Sequence, residues 1–168
     1  MSEPLRDVLP EGLIRLLERE ARKRGSVPEA VMAEMLLKLA KPEERPGLLL
    51  ETAASLLGHA SRRAEKGDYG EACRRLWAAS LMALEAYAAK SGGEPGSLRD
   101  YWVLAERLAE ETGIGVEHWY AAIAARLAAE EGACSEKQYR EMDRLVRGLV
   151  DSVEASLGVA EEVGGGGA

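Results

Sequence analysis

The sequence predicts an all-α protein, and three observations predict it. The chain has no Phe, no Asn and a single Gln (Gln138), while Ala, Leu and Glu are abundant. That composition favours helix and is poor in β-formers. Apolar residues recur at spacings of three and four along most of the chain, and no stretch alternates with period two for long enough to build a sheet; only residues 5–9 could make a short strand. Gly, Pro and capping sequences separate the periodic runs. About seven helices with short loops predict an antiparallel up-and-down bundle of about five helices, preceded by an N-terminal helical hairpin. The hairpin is placed at 10–41, the bundle at 46–158, and a disordered tail at 159–168. With 168 residues, the chain can bury a core without help from metal or disulfides.

Leu9-Pro10 opens the first helix. Leu13, Ile14, Leu16, Leu17 and Ala21 share its inner face, and Gly25 stops it after Arg22-Lys23-Arg24. Ser26-Val27-Pro28-Glu29 reads as a capping box for the second helix, which should bury Val31, Met32, Met35, Leu36 and Leu39 and end before Pro42. Pro42 to Pro46 is the internal boundary. The third helix is predicted from Gly47 to Lys66, with Leu49, Ala53, Leu56, Leu57, Ala60 and Ala64 inward. Gly67 stops it, and Asp68-Tyr69-Gly70-Glu71 caps the fourth, whose inward residues include Cys73, Leu76, Trp77, Leu84 and Tyr87.

Ser91 to Gly96 is a loop. Ser97-Leu98-Arg99-Asp100 caps the fifth helix, which carries Tyr101, Leu104, Ala105 and Leu108 and ends at Gly113. The sixth runs from about Val116 to Glu131, with Trp119, Ala122, Ile123, Arg126 and Leu127. Ser135-Glu136-Lys137-Gln138 caps the seventh, which presents Tyr139, Met142, Leu145, Val146, Leu149, Val150, Val153 and Leu157. The many inward alanines imply close helix approach.

Charge bounds the function classes. The chain is −7 overall, but residues 1–45 are neutral, 46–90 carry +1 and 91–168 carry −8. An acidic C-terminal half is a poor surface for nucleic acid, which demands Lys and Arg. The start of the chain has acidic residues and no apolar core of a secretory signal, and no apolar run is long enough to span a bilayer, so a cytoplasmic protein is expected. Few Asn and Gln beside many Glu and Arg is a thermophile profile. Cys73 and Cys134 are too few for a disulfide framework and are expected as two separate reduced thiols, a bridge between them being the alternative.

Chemistry-bearing motifs are few. His59 and His118 have no carboxylate or second His at helical spacing, so each reads as structural, and no metal or cofactor is expected. No Walker loop, GxGxxG, HExxH or CxxC is present. The pairs Glu110-Glu111 and Glu130-Glu131 diverge around their helices and read as solvated charge. Two basic patches stand out. Arg15, Arg19, Arg22, Lys23 and Arg24 lie on the first helix. Arg62, Arg63, Lys66, Arg74 and Arg75 bracket the Gly67 turn, beside Tyr69 and Trp77; helix amides and guanidinium groups there could hold a phosphate, although plain complementation of helix ends is the favoured reading. Trp77, Trp102 and Trp119 are expected as core fillers in a chain without Phe rather than as a base-stacking platform.

The stretch Lys66-Gly67-Asp68-Tyr69-Gly70-Glu71-Ala72-Cys73-Arg74-Arg75-Leu76-Trp77-Ala78-Ala79 resembles the signature of the archaeal PaREP family. That family is grouped with the HEPN superfamily of helical bundles. Glu71, Cys73, Arg74 and Arg75 depart from the family pattern, which has Gln, Ser and an acid-lysine pair. The resemblance covers 10–155 loosely and implies the bundle, a tendency to dimerise and nucleotide or RNA contact. It does not carry RNase activity: the Arg-x4-6-His motif of the RNase members is absent, with thirteen residues between Arg45 and His59 and ten between Arg107 and His118. Residues 4–40 also resemble a ribbon-helix-helix DNA-binding module, which reads bases through a paired strand. Only Arg6 and Asp7 would serve there, and a hairpin packed on the bundle is preferred.

The sequence therefore predicts a non-catalytic binding or assembly module of a thermophilic archaeon, homodimeric through a helix face, without membrane association. The alternative is a nucleotide- or RNA-binding protein using Arg62, Arg63, Lys66, Tyr69, Arg74, Arg75 and Trp77. A third reading is an enzyme using His118 or Cys73.

Overall fold

The computed structural model describes residues 7–165, with side chains described over 7–158. Among the described residues the protein is all-α, with seven helices and no strand. These are α1 (Glu11–Arg24), α2 (Pro28–Leu37), α3 (Arg45–Glu65), α4 (Tyr69–Ala89), α5 (Leu98–Thr112), α6 (Glu117–Glu131) and α7 (Glu136–Gly165). Asp7 and Val8 are helical, while Leu5 and Arg6, the rest of the candidate strand, lie outside the described residues. The tail expected over 159–168 lies outside the described side chains; the α7 backbone is helical as far as Gly165. No helix of the described residues is long and apolar enough to cross a membrane.

The caps follow from local chemistry. Gly25, Gly113 and Gly132 close α1, α5 and α6 with positive φ, a conformation that costs glycine nothing. Ser97 and Asp100 form a reciprocal capping box on α5. Ser135 and Gln138 do the same for α7, through Ser135 N to Gln138 Oε1 at 2.9 Å and Gln138 N to Ser135 Oγ at 3.2 Å. At α4 only half the box forms: Asp68 accepts from the Glu71 amide, while the Glu71 carboxylate turns to Arg74 and Arg75. Ser26 does not cap α2. Val27 takes that position with Pro28 following it, and Glu29 is turned into the protein.

Helix α4 is the centre. It packs against α3, α5, α6 and α7, and it is buried on all sides. Six of its buried residues are alanines (Ala72, Ala78, Ala79, Ala83, Ala86 and Ala88), which is how four helices approach one. The core predicted for α3 and α7 is present, with Leu49, Leu56, Leu57, Val146, Leu149 and Val153 buried. Arg147 ties α7 to α3 through the Leu57 carbonyl at 3.3 Å and Ser61 Oγ at 2.8 Å.

Two expectations are corrected. Cys73 and Cys134 are not separate thiols; they form a disulfide joining α4 to the loop before α7. The turn at Gly132 folds that loop back onto the start of α4, a closeness that residues 61 apart in sequence do not announce. In the hairpin, α1 packs chiefly on α2, and α2 also touches α3. The predicted inner faces there are half wrong. Ala21, Val27, Ala30, Val31 and Leu37 are buried, but Leu13, Leu16, Met35, Leu36 and Leu39 are exposed.

Candidate functional site

The α3–α4 turn brings the predicted basic residues close together in sequence and then separates them by role. Arg62 and Lys66 are exposed. Arg63 lies 3.8 Å from Asp68, and Arg74 pairs with Glu71 at 3.3 Å. Arg75 is only 2% exposed. Its guanidinium meets Glu71 Oε2 at 2.8 Å, the Glu71 carbonyl at 3.2 Å and Glu29 Oε1 at 3.4 Å. The sequence could not place Arg75 inside, because its i−4 partner Glu71 is visible but Glu29 is 46 residues away.

Arg75 therefore clamps α2 to α4. Burial opposes the Glu29 charge, yet nearby positive charge, the Arg75 guanidinium among it, holds that carboxyl well below its usual range. Glu71 is likewise held low, against burial, by its bond to Arg75. His59 Nδ1 lies 3.7 Å from Glu29. Burial lowers the His59 pKa, Glu29 opposes this, and Arg62 and Arg75 reinforce it, so the ring is neutral at pH 7.

The remaining predicted ligand residues face inward. Trp77 is 3% exposed, its ring 5.6 Å from Trp119, with the Arg126 guanidinium 5.3 Å above it. Trp102 meets Trp119 edge-on at 5.9 Å. Trp77 and Trp119 are core fillers, as expected, while Trp102 is only partly buried and packs against the core from its edge. Tyr69 is half-buried, 6.0 Å from Tyr139. The described turn thus offers solvent Arg62 and Lys66, with Arg63 and Arg74 already ion-paired.

His118 is a packing residue as well as a polar one. Its Nδ1 is 2.9 Å from the Gly115 carbonyl, and its ring presses on Gly148 of α7, where an added Cβ would stand 2.8 Å from Cδ2. Cys73, being in the disulfide, offers no thiolate.

One titratable pair was not singled out from the sequence. Glu85 of α4 accepts a hydrogen bond from Tyr101 of α5 at the floor of a cleft of about 540 Å³ between α2, the loop after α4 and α5. Burial pushes the Glu85 carboxyl up to about 7; Tyr101 opposes this, and Glu34 and Glu94 add to it. The Tyr101 hydroxyl is pushed up in turn by burial and by Glu85, so it stays protonated. Glu34 in the same cleft is held by Arg24 at 2.7 Å. Glu85 can take up or release a proton near neutral pH while Tyr101 stays protonated, but no His, Cys or Ser among the described residues lines the cleft to act with them. No helical period marks Glu85; only its position in the otherwise apolar run from Leu81 to Ala89 does. Among the described residues no group of three or more His, Cys, Asp or Glu is arranged to hold a metal ion.

Comparison of the chain with protein-family models, with curated proteins and with solved structures finds no match.

Proposed function

We propose that the protein is a non-catalytic binding and assembly module that works as a homodimer, with the α1–α2 hairpin as its interface. One observation carries this reading. Leu13, Leu16, Met35, Leu36 and Leu39 are 47% to 84% exposed on the hairpin, where helical periodicity calls for burial. A 14-residue helix is marginal on its own, and α1 leans chiefly on α2. A second copy offers the same stripe, so one surface serves both partners across a two-fold axis.

Charge selects the hairpin over the other apolar strip, Tyr120 and Leu127 on α6. Residues 1–45 have no net charge, whereas residues 91–168 carry −8, so association through the hairpin meets the smaller net repulsion. On this reading α3–α7 form an antiparallel PaREP- or HEPN-like bundle, which the short connections at 66–68, 113–116 and 132–135 favour. The protein is read as cytoplasmic and thermophilic, and a disulfide fits that setting because intracellular disulfides occur in hyperthermophiles. A nucleotide or RNA site at the α3–α4 turn has less support, since Arg75 and Trp77 are buried.

The test is a variant with Leu16→Glu and Leu36→Glu. Both residues are exposed, so the bundle should keep its helix content. Sedimentation equilibrium should show self-association weakened at least tenfold. Association as tight as in the unaltered chain would remove the hairpin as the interface.

A further inference from the structure

We propose that the outer face of α1 binds the phosphate backbone of duplex nucleic acid, independently of sequence. This stands on α1 alone, and because Leu16 lies in the same strip, the duplex and the Leu16 contact of the proposed dimer compete for it. Arg15, Arg19, Arg22 and Lys23 recur at positions that put them on one side of α1, and all four are exposed. Gly12 and Leu16 are the other residues lining that surface, and an added Cβ at Gly12 would meet nothing within 4 Å, so the face is open.

Cations without an ion pair among the described residues also occur singly elsewhere, as at Arg62, Lys66, Arg99 and Arg107; on α1 they share one side of one helix. The arginine of α6 and the three of α7 each meet a carboxylate one turn away: Arg126 with Glu130, Arg140 with Glu136, Arg144 with Glu141 and Arg147 with Asp143. On α1, Arg15 pairs with Glu11, but Arg19, Arg22 and Lys23 have no ion pair among the described residues. Glu18 stands one turn before Arg22 without pairing to it. Glu20 is taken up by Arg24, which also holds Glu34. Glu11 thus sits outside with Arg15, while Glu20 and Glu34 are taken up by Arg24, which leaves Arg19, Arg22 and Lys23 without a carboxylate partner among the described residues.

The spacing suits a polyphosphate. From Arg15 to Lys23 the helix rises about 12 Å, over which a duplex presents roughly seven phosphate charges. The choice of duplex over single strand follows from what α1 lacks. A single-strand site stacks bases on exposed aromatic rings, and α1 has none, while Trp77 and Trp119 are buried. A lipid surface would need a broad apolar face of α1 to insert, yet only Leu13 and Leu16 of its apolar residues are exposed, while Ile14, Leu17 and Ala21 are turned to α2. The −7 net charge of the molecule opposes any wider contact, so binding is confined to this strip and falls steeply with salt.

The test is fluorescence anisotropy of a labelled mixed-sequence DNA duplex with the full chain over a sodium chloride series. A log K against log salt slope of about −3.6 is expected for four phosphate contacts. Arg19→Ala should reduce the slope by about 0.9 for every duplex sequence, and Arg19→Glu with Arg22→Glu and Lys23→Glu should abolish binding with circular dichroism unchanged. Arg62→Ala serves as the control and should leave the slope as it was. The proposal is overturned by absence of binding at low salt, by a slope that Arg19→Ala does not alter, or by capture on phosphatidylglycerol vesicles without capture by the duplex.

Discussion

Removing Arg75 would leave Glu29 and Glu71 at the α2–α4 contact without their shared cation. Breaking a buried pair from one side costs about 3 kcal/mol, so Arg75→Ala should lower urea stability by that order, whereas exposed Arg62→Ala should stay within about 0.5 kcal/mol. Equal effects would make Arg75 no clamp. Glu85 gives a pH signature. Its carboxyl ionises near 4.5 in the unfolded chain and at about 7 when folded. Below 4.5 both states hold the proton and nothing is lost. As pH rises through about 7 the folded state resists ionisation, and stability falls by up to about 3 kcal/mol. Glu85→Gln keeps a partner for Tyr101 without that penalty, so its Tm advantage should widen from pH 5 to pH 8; a gap independent of pH would contradict the assignment. At this scale the tryptophans and the structural His118 were legible from periodicity and scarcity. Arg75 and Glu85 were not, because a charged residue inside an apolar helix is explained only by partners on other helices.

At the scale of the element, caps and periods placed α4 to α6 within a residue or two. They failed on α2, where Ala30, Val31, Met32, Met35, Leu36 and Leu37 wrap most of the helix, so the sequence could not say which side meets α3. They failed on Ser26 because Val27 and Pro28 take up the cap positions. The α6–α7 contact was also hidden, since it depends on a missing side chain. Gly148→Ala would ordinarily strengthen a helix by about 1 kcal/mol. Here the added methyl meets the His118 ring, so the variant should instead lose roughly 1–3 kcal/mol in thermal unfolding. Adding His118→Ala to the same chain should relieve the crowding. A stabilised single variant would show that α6 and α7 are not in such close register.

For the whole molecule, the disulfide and the charge distribution matter most. The Cys73–Cys134 bridge closes a loop of 61 residues, and loop entropy of that length is worth about 4 kcal/mol. Oxidised protein should show no free thiol to Ellman's reagent, and reduction should lower stability by that order; two titratable thiols before reduction would refute the bridge. The gradient from a neutral hairpin to an acidic bundle was readable from the sequence, but the exposure of the hairpin's leucines was not, because periodicity marks an apolar face without saying which molecule covers it. That open face is the basis of the assembly reading. Its most direct test is the mass of the unaltered protein by light scattering over a range of concentrations. A homodimer gives twice 18.1 kDa, reached without nucleic acid. A single 18.1 kDa species at every concentration would contradict it.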